Sequence, residues 1–318
     1  MIPQRQPRRL RAAPIRRLEA PKDLPWARHA LLEAYQGQVG DDGADRLAAD
    51  RGIDAQALRD TNRRIAASLQ GAHLYWVRPD MARLAMYAAG SIPEWSAGVA
   101  APAPTGMLTW RGQLPEIAWR NPLPDVRRPA TLPLAGVTWS RLEGIVLVQL
   151  LTTADAIRAL SAGYWSQDLP LVPIETFCMP ILDPAVAWRS PEDHRRPQLP
   201  EATGVLSLIG ATWIMMQQPN AASRAEVRAS RRDVEVADRL GVSRPLITTV
   251  DLRVVRSRPA HDPKPGTGRP LEETQLVDPH WRRQYHPSDG SHRPIWILPY
   301  IRGPEGAPLR LVMSLIVV

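Results

Sequence analysis

Three of the seven histidines, His280, His286 and His292, fall within one short stretch, Thr274 to Arg302. Four arginines (Arg282, Arg283, Arg293, Arg302) and two of the eleven tryptophans (Trp281, Trp296) stand among them. Histidine titrates near neutrality and moves protons, while arginine holds a phosphate or carboxylate in a planar fork. Metal-independent RNA cleavage asks for such a set: one imidazole as base, another as acid, guanidinium groups on the phosphorane. The catalytic candidates on that reading are His280, Arg282, His286 and Arg293. The plainer reading of the same residues is a solvated basic sheet face that performs no chemistry.

These side chains meet only if the stretch is a β-hairpin. Pro287-Ser288-Asp289-Gly290 is turn chemistry, and the aromatic and β-branched flanks suit strands. Side chains alternate across a strand, so a loop of two or four residues fixes the faces by parity. One face then carries His280, Arg282, Gln284, His286 and Arg293 beside Ile295 and Ile297. The other carries Trp281, Arg283, Tyr285 and His292 beside Trp296 and Leu298, which reads as core with Arg283 over an aromatic ring or at the solvent edge.

The net charge of +8 is unevenly placed. Arg5, Arg8, Arg9, Arg11, Arg16 and Arg17 against Glu19 give residues 1–20 a charge of +5, leaving +3 for the rest. An arginine-rich arm of this kind, expected to be disordered, is an electrostatic hook for nucleic acid or for an acidic partner. Only Lys22 and Lys264 are lysine, a bias that a GC-rich genome explains as well as any function does. The single cysteine, Cys178, excludes an internal disulfide framework and a cysteine-based zinc site, and its apolar surroundings (174–182) predict a packed thiol. No secretory signal is apparent, and the longest apolar run, Gly204–Met216, is too short to span a bilayer. The expectation is a cytoplasmic protein with no membrane partner.

The N-terminal part reads as helical. Asp23 and Pro25 open a first helix through Tyr35; two short helices follow over 44–51 and 54–69, split at Gly52 and Ile53. Asp54 caps the second of these and Gly71 ends it; a strand over 72–77 leads to a helix capped by Asp80. The segment 44–65 has the outline of a helix-turn-helix, whose second helix would offer Gln56, Arg59, Asn62, Arg63 and Arg64 to a DNA groove. Arg51 and Thr61 stand where that motif wants apolar residues, and any αα-corner with glycine at its bend imitates it.

Beyond it, 91–143 is Pro-rich, with scattered Trp residues as anchors, and Gly144–Leu151 is a buried strand whose Thr153-Ala154-Asp155 end opens a helix. An extended segment over 169–182 and an exposed charged loop (183–200) precede helix 201–218, apolar on most sides and therefore central. Residues 221–240 read as a charged helix. A second helix-turn-helix outline at 236–250 is a decoy, because Leu246 to Val255 is β-branched and prefers a strand. That strand opens a predicted antiparallel meander with 274–286, 292–301 and 309–318. The expected fold is α+β: the arm (1–20), a mainly helical region (21–98), and a mixed body (99–318) whose C-terminal antiparallel sheet packs on helix 201–218.

The ending HWRRQYHPSDGSHRPIWILPYIRGPEGAPL resembles the C-terminus of a group of uncharacterised bacterial proteins, as does the run Leu74-Tyr-Trp-Val-Arg-Pro-Asp-Met. Together they cover less than a fifth of the chain. The resemblance implies a shared fold and carries no activity with it.

No Walker loop, GxSxG elbow, kinase set or zinc spacing is present, so neither metal nor cofactor is expected. Two functions lead: a nucleic-acid-associated accessory or regulatory protein with DNA or RNA as partner, and an RNA-cleaving or other phosphate-directed enzyme using the 280–293 cluster; a structural or partner-binding protein is the third, plain reading.

Overall fold

The computed structural model describes residues 18–39, 45, 54–112, 114–119, 130–160, 169–181, 200–243, 245–253, 273–288, 290–304 and 308–310. Next to the middle of its main sheet runs strand β1 (His73–Val77), where every residue after the first is buried. Leu74 and Trp76 point to one face, Tyr75 and Val77 to the other, and each face has its own apolar cluster. A strand that is apolar on both sides must be covered on both sides. It therefore lies inside a seven-stranded mixed sheet, in the order β7-β6-β5-β2-β1-β9-β8.

The remaining strands of that sheet are β2 (Thr105–Trp110), β5 (Gly136–Leu142), β6 (Ile145–Thr153), β7 (Leu171–Pro180), β8 (Ala222–Arg228) and β9 (Leu246–Leu252). β1 runs parallel to β2 and to β9; every other pairing is antiparallel. A short pair, β3 (Glu116–Trp119) and β4 (Ala130–Pro133), stands apart.

One layer over the sheet contains α1 (Leu24–Val39), α2 (Ala55–Gln70) and α7 (Arg231–Leu240). The other contains α3 (Pro79–Ala89), α4 (Ala97–Ala100) and α6 (Pro200–Met215); α5 (Ala154–Leu160) follows β6 directly. The α+β expectation holds, and so does the central role of the apolar helix. Trp213 on α6 is fully buried against Trp139 of β5, 4.9 Å between rings, and Thr212 accepts the Trp110 indole N–H at 3.1 Å. Met215 and Met216 are buried core filler.

Four local expectations change. Residues 222–228 form edge strand β8 rather than a helix: its exposed Arg and Glu residues suit a sheet margin, and the helix starts only at Arg231, where Ser230 accepts from the Asp233 amide. Strand 246–252 leaves the predicted meander and joins the central sheet. Pro79 at the first helical position begins α3, so Asp80 pairs with Arg83 instead of capping; Asp23 accepts from the Glu19 and Ala20 amides. Cys178 is exposed, because β7 is the other margin of the sheet.

A polar group is sealed between α1 and α7. Arg28 is fully buried; one Nη2 donates to the Ser243 carbonyl (3.0 Å) and to His29 Nε2 (3.1 Å). Guanidinium only donates, so this contact requires a neutral imidazole with its proton on Nδ1. Burial, then the Arg28 charge, pulls His29 down to about 4 against a weaker upward pull from Asp233; burial also lowers Arg28 to about 10. The unfolded chain thus takes up the His29 proton first, near the model-compound 6.5, and the folded chain only near 4. Stability is level above this window and falls as pH drops through it. Urea midpoints measured across that window should fall with acidification in the wild type, and less steeply in His29→Gln. Parallel curves for the two would remove His29 as a cause.

Candidate nucleic-acid interface

The C-terminal residues form two small sheets outside the central one. β10 (Thr274–Val277) pairs antiparallel with β13 (Tyr300–Arg302) and parallel with β14 (Leu309–Arg310). The parallel partner departs from the expected meander; residues 311–318 lie outside the described residues. β11 (His280–His286) and β12 (Ser291–Ile297) pair only with each other, as a two-stranded ribbon.

The ribbon register is the one that parity requires: His280 opposes Ile297, Trp281 opposes Trp296, Gln284 opposes Arg293, and His286 opposes Ser291. Its root is fixed by tryptophan. Trp296 is fully buried, 5.0 Å from the Trp281 ring, and the Trp281 indole donates to the Ala88 carbonyl at the end of α3 (2.8 Å). Gln218 acts as a substitute strand at the open edge of β12. Its Oε1 accepts from the Trp296 amide (2.9 Å), and its Nε2 reaches the Pro294 carbonyl (3.4 Å).

Towards the turn the ribbon emerges into solvent. Tyr285, 49% exposed, lies 5.1 Å from the His292 ring, so this end of the expected core face is wet. Arg282, Arg283, His280, His292 and Arg293 are exposed, and neither strand contains an aspartate or glutamate. Arg282 donates to Gln284 Oε1 (2.7 Å), and Arg293 Nε donates to Ser291 Oγ (3.3 Å).

The four catalytic candidates share a face but do not converge. His280 and His286 are six residues apart on one strand, which at about 3.3 Å per residue separates them by roughly 20 Å. Two imidazoles so placed cannot serve the same phosphodiester as acid and base. His280 Nδ1 donates to the Asp278 carbonyl at 2.8 Å and stays exposed. His286 is half-buried at the other end, and its Nε2 is sealed without a hydrogen-bond partner. Arg293 lies diagonally across from it, at about the 7–8 Å typical of such neighbours.

His286, Ser291 and Arg293 border a cleft of about 180 Å³ between the ribbon, α4 and the end of α6. Trp95 and Ile214 supply its apolar walls. Trp95 lies flat on α6 because residue 210 is glycine; a Cβ there would stand 2.3 Å from the indole. Sequence reading did not find this cleft, since its walls come from four separated segments and no local pattern joins them.

The other nucleic-acid candidates divide. Asp54 caps α2, accepting from the Gln56 and Ala57 amides, and Gly71 ends it, both as expected. Gln56 and Arg63 both bond Asp60, and Arg59 is paired with Asp45. Arg64 is exposed, whereas Asn62 is only 4% exposed and so lies on the packed face, away from any groove. The first helix of the proposed helix-turn-helix, apart from Asp45, lies outside the described residues. So do Arg5, Arg8, Arg9, Arg11, Arg16 and Arg17 of the arm, and the charged loop 183–199.

A second hollow, about 220 Å³, opens beyond the end of β2, where Arg111 lies over the Trp76 ring and Arg158 pairs with Asp155. Its two arginines are balanced by Glu19 and Asp155, which leaves no net attraction for an anion. Among the described residues no three His, Cys, Asp or Glu side chains gather as metal ligands, and no helix is long and apolar enough to cross a membrane. No protein-family model matches the chain, and no curated protein is significantly similar to it.

Proposed function

We propose that the protein is a nucleic-acid-associated accessory or regulatory protein, gripping the sugar–phosphate backbone with the β11–β12 ribbon. The observation that carries this reading is the ribbon itself: a projecting two-stranded element, cationic on both faces, with no carboxylate on either strand. Guanidinium groups on such a surface neutralise phosphates, and a two-stranded ribbon is narrow enough for a nucleic-acid groove. The tilted Tyr285–His292 pair adds aromatic ring surface of the type that bases stack on. The arginine-rich arm supplies a second, sequence-independent attraction. The RNA-cleaving alternative loses its acid–base pair to the His280–His286 separation and is not carried further.

Fluorescence anisotropy against duplex DNA, single-stranded DNA and RNA over a salt series tests the proposal. Binding should weaken on a log–log plot with a slope of about −2 or steeper, since each phosphate contact contributes roughly −0.7 to −0.9. No binding at low salt, or binding indifferent to salt, would end it.

A further inference from the structure

We infer that the cleft beside the ribbon takes one unstacked nucleobase, so that the protein prefers single-stranded over duplex nucleic acid. This rests on the reading above and adds the state of the strand. The cleft holds about 180 Å³, below the ~300–1,000 Å³ usual for drug-sized ligands, which suits a single flat ring and not a whole nucleotide. Its floor is aromatic and aliphatic. Trp95 is held with one side against Gly210 and edge-on to Trp213, 6.0 Å between rings at 88°, so its orientation is set before anything binds. A base stacked on a fixed aromatic ring is bound more tightly, and any base has the face for it.

The polar groups sit at one side only. His286 Nε2 is buried and without a partner, an unfavourable state for a polar atom. Turning that ring to meet the hydrogen-bonding edge of a base removes the cost, which an aliphatic ligand cannot do. Arg293 belongs both to the cleft rim and to the ribbon, opposite Gln284. A phosphate held there leaves the attached base beside the opening. A duplex keeps its bases paired and stacked, and extruding one is unfavourable; a single strand presents them at little cost.

Anisotropy with the full-length protein tests this with three probes at one salt concentration: a single-stranded oligonucleotide, its duplex, and an abasic strand of equal length. The single strand should bind at least about tenfold tighter than the abasic strand and the duplex. Trp95→Ala should erase most of that difference while leaving abasic binding unchanged, and His286→Ala, separately, should also erase most of the difference. His286 lies on the ribbon outside the main core, which keeps the test meaningful should Trp95→Ala misfold. Equal binding of abasic and normal strands overturns the base site alone and leaves the ribbon reading intact. Absence of salt-dependent binding to any probe overturns both.

Discussion

Arg282→Ala/Arg283→Ala/Arg293→Ala should bind nucleic acid on the order of a hundredfold more weakly than the wild type at ~0.1 M salt, with a salt slope shallower by about 2 to 3. The slope change separates lost phosphate contacts from a general loss of fit. All three side chains are exposed on a ribbon whose root is fixed elsewhere, by Trp281, Trp296 and Gln218. Exposed substitutions of this kind usually change stability by less than about 0.5 kcal/mol, so the folded protein should remain available for measurement. Arg231→Ala is the control: equally cationic, highly exposed, paired with Glu235 on α7, and far from the ribbon in the chain. A triple variant that binds as the control does would move the interface away from the ribbon.

Trp213→Ala is expected to have the largest effect on folding, about 3–4 kcal/mol of lost stability. The side chain is fully buried, with Trp139 at 4.9 Å and Trp95 at 6.0 Å, so truncation opens a cavity bordered by two large rings. The estimate sits at the lower end of the range for Trp→Ala because the Trp213 indole N–H is buried without a partner, a cost that the variant sheds. Against a total of about 5–15 kcal/mol this is a large share. Guanidinium denaturation should show a lower midpoint with an unchanged slope. A loss below about 1 kcal/mol would mean that the surrounding rings close the gap. Because Trp95 leans on Trp213, the variant should also loosen the cleft wall.

Much of the ribbon was legible in the sequence because parity is a property of any strand. Once the loop is four residues long, Trp281 must face Trp296 and Gln284 must face Arg293. Parity says nothing of distance along the strand, and that is where the catalytic set failed: His280 and His286 share a face from opposite ends. It is equally silent on where a face turns from dry to wet. Trp281 and Tyr285 lie on the same side, one half-buried under α3 and the other in solvent. For residues 221–240 the charge pattern suggested a helix throughout. The stop signal was present in Ser230 and Asp233, but a charged edge strand and a charged helix face look alike without a partner to compare. The cleft left no trace, since the closeness of Trp95 and Gly210 exists only after α6 packs.

The position of β1 has a consequence for how the chain is made. Its neighbours are β2, soon after it, and β9, whose Ile247 pairs with Leu74 from much further along the chain. During synthesis β1 therefore waits with one side unzipped until β9 has left the ribosome. Non-local closure of this kind is slow and prone to misassembly. The ribbon follows β9 in the chain, so it emerges only after the last strand of the central sheet.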